Sequence, residues 1–307
     1  INSILISFFA IESTDSIAIA KRSLLGISNI TLYRGSWDYF SPSVDLNPFI
    51  HTWSLGVEEQ FYFFFPIIVW FTGFGKQIRN SSKNLNSVLL FLIALSITSF
   101  LYFSLVDKSA AYFLMPNRFW EIAFGSIIFL NLRNRTPFFN VVKNFSPTFI
   151  FFLIILVLII PLQSGVLSTI LIVIFSGLLI CSLKEETFIY KLFNNKNIRY
   201  LGLISYSLYL WHWGILSISR WTIGVHWWSI PFQILLIFLV ADFSYRFIER
   251  PFRKKESEID IKTNISKILI SLVISWVFLI IIEKPLKGKL FLGKEISQTG
   301  DTYKLKF

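Results

Sequence analysis

Long runs of Ile, Leu, Val and Phe recur along the whole chain, and they leave it few ways to fold. Runs at about Glu58 to Phe74, Leu85 to Val106, Ala110 to Leu130, Thr148 to Leu162, Val166 to Leu183, Leu201 to Ser219, Ile230 to Ile248 and Lys267 to Ile282 are of spanning or near-spanning length for about 30 Å of hydrocarbon. No water inside a bilayer can satisfy backbone N–H and C=O groups, so spanning segments must be helices or a closed barrel. Unbroken apolar runs without two-residue alternation choose helices. Composition agrees: apolar residues are 54% of 307 and charged residues 15%, with a mean hydropathy of +0.63, outside the range of soluble domains. The expectation is an all-α polytopic transmembrane helix bundle with about eight complete spans plus a truncated N-terminal helix, Ile1 to Ile11. Residues 1–282 would form this one domain, and 283–307 a polar tail too short to fold alone.

The net charge of +11 does not point to nucleic acid, because the Lys and Arg residues sit between the apolar runs, where membrane lipid and orientation explain them. Connections 75–84, 131–147, 184–200 and 249–266 are basic and the alternate ones are not, which makes the basic set cytoplasmic. Parity then places the connection carrying His51, and the tail, on the outer side. Ser16 to Gly35 is apolar but carries Lys21 and Arg22 at its middle, so it suits an interfacial or re-entrant helix better than a span. The single cysteine, Cys181, lies in an apolar run and can build neither a disulfide framework nor a cysteine zinc site. The three histidines, His51, His212 and His226, lack the close spacing of a metal site. Asn29-Ile30-Thr31 matches a glycosylation sequon, a pattern that often arises by chance.

Ionisable groups inside spanning segments cost a few kcal/mol and face the bundle interior, which makes them candidate site residues. In NPFIHTWSLGVEEQFYFFFP, Ser54 is a candidate N-cap, and Glu58 and Glu59 lie near the positive end of the helix that follows. His51 and Glu58, seven apart, would share a face if the helix began earlier, a spacing at which a carboxylate can orient an imidazole. In MPNRFWEIAFG, Arg118 and Glu121 can pair, or Arg118 can hold a phosphate or carboxylate. LGLISYSLYLWHWGILSISR sets Ser205, Tyr209 and His212 on one stripe, with Trp211 and Trp213 at an interfacial level. Asp242, Arg246 and Glu249 share a face in VADFSYRFIERPFRKK, which reads as salt-bridged anchoring.

At these residues the sequence resembles the acyltransferase-3 family of polytopic membrane acyltransferases. HTWSLGVEEQFYFFFP is similar to the family's hallmark segment, and MPNRFWEIAFGSI, YLGLISYSLYLWHWGIL and FSYRFIERPFR resemble three further segments in the same order, from about Ser36 to Lys254. The resemblance implies acyl transfer from a cytoplasmic acyl-CoA, usually acetyl-CoA, to a hydroxyl of an outer-surface glycan or glycolipid such as lipopolysaccharide or peptidoglycan, in the bacterial inner membrane. It implies no permanently bound cofactor. Carried over residue by residue, it matches His51, Glu58 and Glu59 to the hallmark segment, Arg118 and Glu121 to the second, Tyr206 and His212 to the third, and Arg246 and Glu249 to the fourth. Family members also carry an Arg and a His on their first transmembrane helix, and nothing before Ser36 matches these. Some append an outer hydrolase-like domain, whose Gly-Asp-Ser start the tail lacks.

The expected function is therefore a membrane O-acyltransferase, with His51, Glu58 and Glu59 catalytic and Arg118, Glu121, Ser205, Tyr206, Tyr209, His212 and Arg246 binding substrate. The alternative is a non-enzymatic transporter or flippase of a lipid-linked glycan that uses the same polar wall.

Overall fold

A computed structural model describes residues 2–9, 14–35, 46–76, 80–134, 142–159, 165–251 and 261–284. Every regular element among them is helical: α1 (Asn2–Phe9), α2 (Thr14–Ser23), α3 (Ser28–Arg34), α4 (Trp53–Phe71), α5 (Ser81–Val106), α6 (Lys108–Phe113), α7 (Met115–Asn134), α8 (Pro147–Ile159), α9 (Gly165–Ser182), α10 (Phe188–Phe193), α11 (Lys196–Thr222), α12 (Ile230–Ser244) and α13 (Ile261–Glu283). A π-helical stretch, Tyr245–Glu249, continues α12. Of the expected polar tail only Glu283 and Lys284 are described, and the rest lies outside the described residues.

Among the described residues, five of the about eight expected spans are long and apolar enough to cross a membrane: Ser81–Val106, Gly165–Ser182, Lys196–Thr222, Ile230–Glu249 and Ile265–Glu283. The other three runs fall short for identifiable reasons. Glu58, Glu59 and Gln60 dilute α4; Asn117, Arg118, Glu121, Asn131 and Arg133 dilute the 20-residue α7 that follows the break at Leu114; and α8 has 13 described residues. Ser16 to Gly35 folds as two short helices joined through Gly26, which takes φ +66. The outer faces of α12 and α13 expose Phe232, Leu235, Leu239, Leu269, Val273 and Ile274. Apolar surface on that scale marks an integral membrane protein.

The tightest packing joins α5 to α7, α11 to α12 and α8 to α9, with α4 against α7 and α13 against α2. Val57, Phe61, Leu89, Phe100, Phe119 and Ala123 form the core between α4, α5 and α7. A buried polar ladder fixes the register of α5 on α7: Ser96 donates to the Pro116 carbonyl at 2.5 Å, and Ser99 donates to Asn117 at 2.5 Å. Asn117 donates in turn to the Ala110 carbonyl at 2.7 Å. Its side-chain polar groups are spent on the fold.

Contacts between helix ends sort the bundle into two rims. Asn134 donates to Ser82 and Arg133 lies over the Phe74 ring, gathering the α4–α5 turn and the end of α7 at one rim. Phe151 against Phe193 and Tyr200 against Asp242 bring α8, α10, α11 and the end of α12 to the same side. This rim carries Lys83, Arg133, Lys191, Lys196, Arg199 and Arg250. At the opposite rim Lys21 pairs with Glu283 at 2.7 Å and Tyr33 donates to Asp107 at 3.1 Å.

The α2–α3 unit reaches in from that second rim and docks on the start of α4. Gln60 donates to the Gly26 carbonyl at 2.9 Å and to Asn29 at 2.8 Å, and Asn29 donates to the Phe113 carbonyl at 3.0 Å. Asn29 is fully buried, so the sequon is no accessible glycan acceptor.

Candidate active site around His51

Tyr209, Trp213, Ser217 and Trp221 recur every four residues along α11 and so share one face. Each donates a hydrogen bond to a backbone carbonyl of the segment that leads into α4. Trp221 Nε1 and Ser217 Oγ reach Leu46 O at 2.9 and 2.7 Å, Trp213 Nε1 reaches Asn47 O at 2.9 Å, and the Tyr209 hydroxyl reaches His51 O at 2.6 Å. The segment thus runs down α11 from its end toward its centre. Irregular backbone at membrane depth needs donors of this kind, because no lipid can supply them. α11 has 27 residues, about 40 Å of helix, and Tyr209 is at its middle. His51 therefore sits halfway down α11, at the inner end of the connection that parity assigns to the outer side. Trp213 belongs to this clamp and not to an interfacial belt.

A 3-10 turn, Ile50–Thr52, carries His51 and hands over to α4 at Trp53. The N-cap is Thr52 rather than Ser54, and its side chain makes no capping bond. Ser54 instead hydrogen-bonds the Tyr209 hydroxyl at 2.6 Å. Since that hydroxyl already donates to His51 O, Ser54 supplies the hydrogen. The chain Ser54, Tyr209, His51 carbonyl pins the turn.

His51 is 4% exposed, and neither ring nitrogen makes a well-aligned hydrogen bond among the described residues, although the Leu210 backbone lies within electrostatic reach. Its ring meets Tyr209 at 5.3 Å and His212 at 5.5 Å, both edge to face. An imidazolium buried there would be an uncompensated charge, which a low-dielectric interior strongly disfavours. His51 is thus a neutral imidazole with a free lone pair. His212 Nδ1 lies 2.6 Å from the Tyr209 carbonyl, which can only accept, so Nδ1 carries a hydrogen and Nε2 is the ring nitrogen left for other groups.

Glu58 forms no hydrogen bond with His51, and the imidazole packs against α11 instead of a carboxylate. Glu58, Glu59 and Glu249 lie within electrostatic reach of Tyr206. Ser207 donates to Glu249 at 2.8 Å. The π-helical stretch at Tyr245–Glu249 accounts for this pairing: one extra residue per turn rotates Glu249 away from the face of Asp242 and Arg246. Arg246 bonds Asp242 at 3.0 Å and Tyr200 at 3.3 Å, with the guanidinium largely exposed at the basic rim. Ser205 turns back to its own helix at Gly202 O, 2.9 Å away, and leaves the Tyr209–His212 stripe. Arg118 pairs with Glu121 at 2.6 Å, and its guanidinium lies 5.4 Å from the Trp53 and Tyr112 ring centres, next to the His51 turn.

The structure therefore gathers His51, Tyr209, His212 and, through Trp53, Arg118. Tyr206 falls in a second group with the three glutamates, and Arg246 is apart at the rim. The sequence reading missed the clamp, whose available signal was the four-residue recurrence of side-chain donors on α11.

The family model for the acyltransferase domain matches residues 4–246, and the chain belongs to that family. It is 32% identical over 271 residues to a Staphylococcus aureus (strain COL) protein provisionally named an O-acetyltransferase, covering 79% of this chain and 43% of that protein. It is 30% identical over 285 residues to the O-acetyltransferase OatA of Staphylococcus aureus (strain NCTC 8325), covering 82% of this chain and 44% of OatA. The chain thus spans less than half the length of these relatives. No solved structure matches it.

Proposed function

We propose that the chain is the membrane part of an O-acyltransferase that moves an acyl group, acetyl by the names of its relatives, from an acyl-CoA to a hydroxyl of a cell-surface polysaccharide or glycolipid. The observation that carries this reading is the His51 imidazole: buried, without a well-aligned hydrogen bond among the described residues and held against the middle of α11. A base there takes the proton of the acceptor hydroxyl as its oxygen attacks the thioester carbonyl, and the tetrahedral intermediate collapses with loss of the CoA thiolate. His212 Nε2 is a second ring nitrogen beside it. Glu58 and Glu59 complete the polar wall, with Tyr206 and Glu249 facing it from α11 and α12. Arg118, held over Trp53, is placed to meet an anionic substrate group, and Arg246 at the basic rim to meet the donor's phosphates. The basic rim is cytoplasmic in this reading and the membrane is the bacterial inner membrane.

The test is transfer of labelled acetyl from acetyl-CoA to surface glycans in membranes holding the native protein, compared with His51→Ala. Label that depends on His51 supports the assignment. Normal incorporation by the variant removes His51 from it.

A further inference from the structure

Asn47 lies four residues before His51 on the clamped segment, is 4% exposed, and has both of its oxygens engaged. Its backbone carbonyl accepts from Trp213 at 2.9 Å and from Ile50 N at 3.3 Å. Its side-chain Oδ1 accepts from the Phe49 backbone N–H at 3.0 Å, an Asx turn. That bond fixes which way the amide faces: a flipped amide would set its own N–H groups against the Phe49 N–H. Nδ2, the side-chain atom left over, has no partner among the described residues. A buried donor without an acceptor is unfavourable and in native proteins calls for an explanation. Glycine or alanine would leave no such donor, and aspartate would serve the turn equally well.

We infer that the Asn47 amide binds substrate: its Nδ2 hydrogens hold an uncharged oxygen of the group that reacts at His51, either the acyl carbonyl of the donor or a hydroxyl of the acceptor sugar. This rests on the acyl-transfer reading above. The two unpartnered polar side chains of the segment then have one explanation, since a clamp of four side-chain donors presents both an imidazole lone pair and an amide N–H. The division of labour is chemical: the imidazole accepts a proton and the amide donates a hydrogen bond. Asn47 would stabilise the oxyanion if it meets the carbonyl, and would orient the nucleophile if it meets the hydroxyl.

Asn47→Asp separates the donor from the turn, because the carboxylate still accepts from Phe49 N but offers no N–H. Purified native protein, Asn47→Asp and Asn47→Ala are compared for thermal stability alone and with acetyl-CoA or glycan fragments added, and for acetyl transfer. Asn47→Asp buries a carboxylate offset only by the Phe49 N–H, so it is expected to melt below native, and transfer per folded protein falls about 10- to 1000-fold. A loss in kcat, with KM for both substrates kept, assigns the carbonyl; a raised KM for the glycan assigns the hydroxyl. Asn47→Asp with native transfer per folded protein and native ligand stabilisation overturns the inference and leaves Asn47 a turn residue. Ligand stabilisation that Asn47→Asp loses, in a native protein that transfers no acetyl, keeps the donor and sinks the acyl-transfer reading. A native protein neither active nor stabilised by either ligand overturns both.

Discussion

The imidazoles of His51 and His212 meet edge to face, with ring centres 5.5 Å apart, although one sits on an irregular segment and the other in the longest helix described. Their nitrogens are treated differently. His212 spends Nδ1 on the Tyr209 carbonyl, whereas His51 spends neither on any described residue. A structural histidine in a core is normally satisfied, and this contrast is what supports the proposed role of His51 as the base.

Replacing His51 with alanine should therefore abolish activity without unfolding the protein. No hydrogen-bond partner of the ring is orphaned by the change, and the relief of burying a polar ring opposes the cost of the cavity. The expected result is at least about 100-fold less transfer with a melting temperature within a few degrees of native. A variant that fails to assemble in membranes would give the ring a structural role instead.

Tyr209→Phe should act through position rather than through binding. Its hydroxyl is occupied by the His51 carbonyl and by Ser54, both at 2.6 Å. Removing it takes the shorter of two side-chain donors from the His51 carbonyl and leaves Ser54 Oγ at 3.5 Å, a net loss of about 1 kcal/mol, and it loosens the turn that carries the imidazole. A lower kcat with little change in KM is expected. A selective rise in KM for acceptor would return Tyr209 to the substrate-binding role that its place on the polar stripe suggested.

What the sequence made legible was local. Arg118 and Glu121 are three apart on one helix, so their pairing could be read from spacing alone, and the apolar runs dictated an all-helical membrane fold. The seat of His51 depends on backbone carbonyls at Leu46, Asn47 and His51 meeting side chains on α11. Backbone acceptors carry no residue signature, so nothing in the hallmark segment told a rim connection from a segment sunk to mid-helix. Glu249 was hidden for a different reason: ideal helical periodicity puts it beside Asp242, and the π-helical stretch moves it to Ser207.

Arg118→Lys should behave as a loss rather than a conservative change. The guanidinium pairs with Glu121 and lies over two aromatic rings at once, and a lysine ammonium cannot reproduce that flat, forked geometry. A double-mutant cycle with Glu121→Gln separates the two effects, read as acetyl transfer and as melting temperature. Coupling between the sites measures the ion pair, and whatever Arg118→Lys loses when Glu121→Gln is already present measures the stacking on Trp53 and Tyr112. Zero residual loss would exclude the rings from the site.

The docking of α2–α3 onto α4 predicts a sharp cost at Gly26. It adopts φ +66, and a Cβ there would stand 2.3 Å from Glu59 Oε2. The Glu59 carboxylate is the end of a flexible side chain and can move aside, but the left-handed backbone conformation cannot, and for a residue with a side chain it costs about 1–3 kcal/mol. Gly26→Ala should lower the melting temperature, and it should also disturb Glu59, which shares the polar wall with Glu58 and Tyr206. Gly56→Ala meets Asn29 Oδ1 at 2.8 Å without a positive φ, so it tests crowding alone at the same joint. If the two variants lose equal stability, crowding and not backbone strain governs the docking of α2–α3.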